Sequence, residues 1–197
     1  YNVRKAESHN YLIDGTSFNA NSLISILLDA DGKKKYNLFE NNIIIDLNLD
    51  EVYFDEVYFV KDLNGKINII NNKVEEADIL AFYSNSQNIK FTIRTNDQGE
   101  KITTLFSSNA KPLVDRYKFI KGFRDGRDGY LDFYSMKKEG VSTSKLVIDN
   151  FKVKEIPALA KLLALASLQG IADLLTGEGI RFTDFEMNFT NQDKLMK

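Results

Sequence analysis

Ile89-Lys90-Phe91-Thr92-Ile93-Arg94 alternates strictly between apolar and polar side chains. In an extended chain successive side chains point to opposite sides. Ile89, Phe91 and Ile93 therefore share one face, and Lys90, Thr92 and Arg94 share the other. One dry face and one wet face is the pattern of a sheet that buries a single side. The same period runs outward from this stretch. Upstream, Ile43, Ile45, Leu47 and Leu49 alternate with Ile44, Asp46, Asn48 and Asp50. Val57 to Val60 is expected to enter a turn at Asp62-Leu63-Asn64-Gly65, with Ile67 to Ile70 leaving it and Ile79 to Tyr83 as a further strand. Downstream, Asn96-Asp97-Gln98-Gly99 turns the chain into Lys101 to Ser107, since Asn, Asp and Gly tolerate the backbone angles of tight turns.

The ends of the chain carry the same signals with more interruptions. Tyr11 to Phe18 reads as a short strand with a turn at Asp14-Gly15. Asn19 to Asp29 follows as a short helix, capped by Asn19 or Asn21, with Leu23, Ile24, Leu27 and Leu28 as its apolar stripe. Ala110 to Lys118 is a short helix or a loop, and Gly122 to Gly129 a polar turn region. Leu131 to Tyr134 and Leu146 to Ile148 are strands across a turn at Glu139-Gly140. Phe151 and Val153 continue the apolar face offset by one residue, which predicts a bulge at Asp149-Asn150. Ile180, Phe182, Phe185, Met187 and Phe189 make a last strand with a register break near Asp184.

One segment abandons the strand period. From Ile156 to Phe182 the chain reads IPALAKLLALASLQGIADLLTGEGIRF. Pro157 suits the first turn of a helix and Gly177 a C-cap, so a long apolar helix is expected at about 157–176. Lys161, Gln169 and Asp173 fall within one third of its circumference, opposite Leu163, Ala164, Ser167, Gly170, Ile171, Leu174 and Leu175. Leu162, Leu165 and Leu168 sit on the nominally polar side. Such a helix packs on a sheet and meets a second apolar surface. As a membrane span it is disfavoured, because each central charge costs roughly 2.5–3.5 kcal/mol.

Composition narrows the function classes. The chain has 197 residues, 43% of them hydrophobic and 27% charged, with a net charge of −2. That is ordinary for a folded domain and leaves no basic block for nucleic acid. Cysteine is absent, which excludes disulfides, thiolate metal sites and cysteine nucleophiles. His9 is the only histidine and has no partners at ligand spacing, so it reads as an exposed residue. Asp29-Ala30-Asp31-Gly32 resembles the start of a calcium loop, but Gly32 comes too early and a simple turn is favoured. Arg124-Asp125-Gly126-Arg127-Asp128-Gly129 could meet a lipid phosphate through Arg124 or Arg127, yet a solvated turn is the plainer reading. Gly177-Glu178-Gly179 follows its helix, whereas phosphate-binding glycines precede one. Acidic residues are scattered over strand faces and turns. No catalytic residue, metal or cofactor is expected.

The last third of the chain resembles the AsmA-like proteins of Gram-negative bacteria, which include TamB- and YhdP-type envelope proteins, in their α-proteobacterial form. The resemblance rests on Gly129-Tyr130-Leu131, on Leu146-Val147-Ile148-Asp149-Asn150-Phe151-Lys152-Val153, and on Pro157-Ala158-Leu159-Ala160-Lys161-Leu162-Leu163. It continues through Ala166-Ser167-Leu168-Gln169-Gly170-Ile171 to Gly177-Glu178-Gly179-Ile180-Arg181-Phe182. It covers about Leu131 to Phe189, and upstream it is one of pattern. The resemblance implies a long β-sheet curled into a trough with an apolar interior. It also implies anchoring in the inner membrane, extension through the periplasm, and a part in moving phospholipid to the outer membrane.

The expected fold is therefore mainly β with a few helices (α+β): a curved, largely antiparallel sheet forming an open groove, with one long apolar helix. The chain starts at Tyr1 without a leader and reads as a single fragment of a longer protein. Residues 1–40 give a strand and short helix, 41–110 a strand ladder, and 111–197 strands, the long helix and a final strand. The groove or helix-packing candidates are Leu163, Ile171, Leu174, Leu175, Ile148, Phe151, Phe182 and Phe91. The expected partners are phospholipid acyl chains and neighbouring segments of the parent chain. Nucleic acid is not expected, and membrane contact is assigned to parts outside these residues. The alternative is a structural or protein-interaction β module with a closed core and no lipid cargo.

Overall fold

The computed structural model describes residues 1–6, 9–21, 42–71, 73–118, 120–125, 129–154, 179–192 and 195–196. The alternating runs become one 13-stranded sheet. Its first strands are β1 (Asn2–Lys5), β2 (Asn10–Gly15), β3 (Phe18–Asn19) and β4 (Ile43–Tyr53). The ladder continues with β5 (Phe59–Ile70), β6 (Lys73–Ser84), β7 (Gln87–Thr95) and β8 (Lys101–Ser107). After helix α1 (Lys111–Tyr117) come β9 (Phe123–Asp125), β10 (Leu131–Lys138), β11 (Val141–Val153), β12 (Ile180–Gln192) and β13 (Leu195–Met196).

Spatial order follows chain order from β4 to β8 and from β10 to β13; short turns join the neighbours, except β11 and β12, between which residues 154–179 intervene. β2 and β3 pair with β4 in parallel, and every other pairing is antiparallel. β1 and β13 form the two ends of the path and do not pair with each other, so the sheet is open. The turns at Asn96–Gly99 and Glu139-Gly140 form as the sequence predicts. Asn96 Oδ1 accepts the backbone N–H groups of Gln98 and Glu100, and Glu139 and Gly140 take φ of 49° and 85°.

Besides the turn expected at Asp14-Gly15, whose two residues end strand β2 and pair with Asn48 and Leu49 of β4, three expectations need correction. Asp62 to Gly65 is no turn: β5 runs straight through it, and the chain reverses instead at Phe54–Tyr58. Asp55 Oδ1 holds that reversal by accepting the N–H groups of Val57 and Tyr58. The turn-forming residues of β5 serve other ends. Asp62 adopts φ 50° and flips the apolar phase from Leu63 to Val60. Gly65 lies so close to β6 that a Cβ there would sit 2.8 Å from the Asp78 carbonyl oxygen. Second, no bulge forms at Asp149-Asn150. β11 and β12 keep one register on both sides, from Val141 opposite Gln192 to Val153 opposite Ile180. The offset comes from Asn150 itself, whose φ of 49° reverses the pleat without inserting a residue. Third, Gly122 to Gly129 is not wholly a turn, because Phe123–Asp125 is strand β9.

Among the described residues α1 is the one α-helix, with Pro112 in its first turn. The long helix expected at about 157–176 lies outside the described residues. So do all but the first residues of the expected helix at Asn19 to Asp29, where Asn19 Oδ1 accepts the Asn21 N–H in a capping geometry. The turn at Asp29–Gly32 is also outside them.

Burial is confined to one side of the sheet, in three clusters. One gathers Ala110, Val114, Phe123, Leu131, Ile148 and Phe151, and so places α1 over the apolar face. A second centres on Leu49, Val52, Val60 and Ala81, and a third on Ile43, Ile45 and Ile69. The opposite face is polar and knitted by diagonal or direct cross-strand pairs such as Arg94 with Asp78, Lys145 with Glu186, and Thr92 with Thr104.

Candidate functional site

Register resolves the apolar face into rungs that cross eight strands. Partners directly opposite one another share a face. The middle rung runs from Leu47 through Gly65 and Ile79 to Phe91. It continues through Leu105 and Phe133 to Leu146 and Met187. Ile79, Phe91, Leu105 and Phe133 are only half-buried, and Met187 is 38% exposed. A wide apolar surface in the centre of the sheet is thus incompletely covered.

The rungs on either side differ. Towards α1 lie Leu49, Ala81, Ser107, Leu131 and Ile148, all buried. α1 is tied there by Arg116, which donates to Asn21 Oδ1 at 2.8 Å and to the Phe54 carbonyl at 2.7 Å, and by Tyr58, which donates to Asp115. Towards the other end the C-terminal half turns hydroxylic. Thr103, Ser135 and Ser144 lie in register, and Ser144 Oγ donates to Ser135 Oγ at 2.8 Å. The face is therefore sealed at one end, half-open in the middle and partly polar at the other.

The four described candidates fall on this face but not at equivalent places. Phe91 occupies the half-open middle rung. Ile148 and Phe151 are 0% and 3% exposed, sealed beneath α1 and Phe123. Phe182 stacks on Phe151 at 5.4 Å, and Phe151 on Phe123 at 5.3 Å. Ile148 and Phe151 are packing residues and present little surface to a ligand, whereas Phe182 is half-buried, as Phe91 is. Leu163, Ile171, Leu174 and Leu175 lie outside the described residues. Sequence reading passed over Ile79, Leu105 and Phe133. Each belongs to a recognised strand, but only the register shows that they adjoin Phe91.

The face carries almost no charge. Its one perturbed group is the Tyr83 phenol, pushed up to about 12, first by burial and against a smaller opposing hydrogen bond with Ser107. Ser107 Oγ donates to the Asn109 carbonyl at 2.7 Å, so Tyr83 O–H is the donor in its 3.1 Å contact with Ser107. On the polar face Glu186 is held below the usual carboxylate range by hydrogen bonds from Lys145 and Asn188. Among the described residues no group of His, Asp and Glu side chains is placed to hold a metal ion, and no helix is long and apolar enough to cross a membrane.

No protein-family model, curated protein or solved structure matches this chain.

Proposed function

We propose that this chain is a non-enzymatic segment of an AsmA-like envelope protein whose open sheet holds phospholipid acyl chains along its apolar face. In this reading it lies in the periplasm, belongs to a protein anchored in the inner membrane, and supports phospholipid movement and outer-membrane integrity. The observation that carries the reading is the half-buried middle rung centred on Ile79, Phe91, Leu105 and Phe133. An acyl chain laid there gains about 0.8 kcal/mol per buried CH₂ and needs no directional partner. That suits a surface without catalytic chemistry. The motifs of the last third support the assignment to this class of protein.

The test is native mass spectrometry and lipid extraction of the purified chain, beside a Phe91→Asp/Phe133→Asp variant. Co-purifying phospholipid in the wild type, lost in the variant, is the expected result. Wild-type protein free of lipid, and unable to take up added phospholipid, overturns the reading.

A second reading rests on a separate observation. Among the described residues, the outer edge of β12 pairs only with β13, at Asn191 and Gln192. Unpaired strand edges accept further strands. An interaction module would add a neighbouring segment of the parent chain there.

A further inference from the structure

We infer that the apolar face holds its lipid in one orientation, with the head beyond the hydroxylic rung at Lys137, and that it prefers an anionic head. The inference rests on the acyl-chain reading above and adds the lipid's polarity and headgroup class. Strand alternation places Leu131, Phe133, Ser135 and Lys137 of β10 on the apolar side. Leu131 is buried, Phe133 and Ser135 are half-buried, and Lys137 is exposed. The flanking strands change in step. Opposite these residues stand Ser107, Leu105, Thr103 and Lys101 on β8, and Ile148, Leu146, Ser144 and Ser142 on β11. Three adjacent strands thus share one gradient, from sealed through apolar and hydroxylic to cationic.

The two polar rungs hold unused binding capacity. Ser144 Oγ donates to Ser135 Oγ at 2.8 Å, while the hydroxyl protons of Ser135 and Thr103 have no acceptor among the described residues. Two donors are therefore free at the border of the apolar surface, where a lipid ester carbonyl can accept them. On the next rung Lys101 is already engaged: its Nζ meets Glu75 at 2.8 Å and the Val74 carbonyl at 2.9 Å. Lys137, directly opposite Lys101, makes no ion pair or hydrogen bond among the described residues. The rung runs from Thr95 through Lys101, Lys137 and Ser142 to Asn191. With Lys101 cancelled by Glu75, its remaining charge is that of Lys137.

An anionic phospholipid matches this order. Its chain lies on the middle rung, its ester meets Thr103 and Ser135, and its phosphate reaches Lys137. Successive rungs stand roughly 6.8 Å apart along a strand, so the three parts fit in sequence. The reverse orientation would press the phosphate against Leu131 and Ile148, which are 3% and 0% exposed. A charge there loses its water and gains no partner.

The test is competitive uptake. The purified chain meets vesicles holding equal amounts of phosphatidylglycerol and phosphatidylcholine with identical acyl chains, and native mass spectrometry reads which lipid it carries. Phosphatidylglycerol is expected in about threefold to fivefold excess, the ordinary worth of one exposed charge pair. Lys137→Gln brings the ratio to one, and Lys137→Arg keeps the excess. Lys90→Gln removes an exposed, unpaired charge from the polar face and keeps it too. Orientation is read separately. Asn191→Trp, on the Lys137 rung, is quenched by a spin label on the lipid head, and Phe91→Trp by bromines on the acyl chain. Equal uptake of the two lipids, the same loss of preference in Lys90→Gln, or the opposite quenching pattern overturns this inference and leaves the acyl-chain reading standing. Failure to take up either lipid overturns both.

Discussion

At the residue scale, Tyr83 shows how burial writes itself into a measurable property. Its phenol donates to Ser107, and burial holds its pKa at about 12 against the ordinary 10.0. The folded state therefore keeps its proton longer than the unfolded chain does. Stability from this group is complete below pH 10 and declines as pH rises towards 12. The loss is about 2–3 kcal/mol by linkage. Urea titrations at pH 9 and pH 11.5 should show that decline in the wild type and a clearly smaller one in Tyr83→Phe. At pH 7 the same substitution costs about 1 kcal/mol, the ordinary worth of one hydrogen bond. Nothing in the sequence singles out Tyr83 among nine tyrosines. Its partner Ser107 is 24 residues away, and only the β6–β7–β8 stacking brings the two together.

At the element scale, the strand ladder was readable because alternation needs only local geometry. Where the alternation slips by one residue, the sequence signals a disturbance but not its kind. Asp62 and Asn150 both resolve the slip with a left-handed residue inside a strand, at φ 50° and 49°. Asn tolerates that conformation, whereas a β-branched residue pays roughly 1–2 kcal/mol or more. Asn150→Val should therefore lower the unfolding free energy by at least about 2 kcal/mol, adding β-branch crowding to the left-handed cost. Asn150→Gly should stay within about 0.5 kcal/mol of wild type. If both variants melt alike, the pleat reversal carries no strain. Helix α1 supplies a second check. Arg116→Ala removes the tie from α1 to Asn21 and Phe54, with an expected cost of about 1–3 kcal/mol. Denaturant midpoints read both. The choice between helix and loop at Ala110 to Lys118 was not legible, since seven helical residues are too few to stand without tertiary cover.

At the scale of the whole molecule, the sheet is open and its apolar side is graded from sealed to half-covered. The chain has no tryptophan, so single Trp reporters can map that gradient. Phe91→Trp and Phe133→Trp should be quenched by phospholipid with brominated acyl chains. Phe151→Trp, in the sealed cluster, and Tyr134→Trp, on the polar face, should not. Uniform quenching would place lipid nowhere in particular. Bound lipid at roughly a hundred times its Kd should also stabilise the fold by about 2.7 kcal/mol, visible in thermal melts. The sequence by itself determined the period of the strands, the two turns at Asn96–Gly99 and Glu139-Gly140, and which side chains share a side along strands such as β7 and β8 that alternate without interruption. These depend on neighbours within a few residues. Only the tertiary structure decided which strands stand side by side, and that Phe91 meets Ile79 and Leu105 while Ile148 and Phe151 lie sealed. Those facts depend on register between strands as far apart as β9 and β12. Register is set by the joint burial of the whole apolar face, which no single stretch encodes.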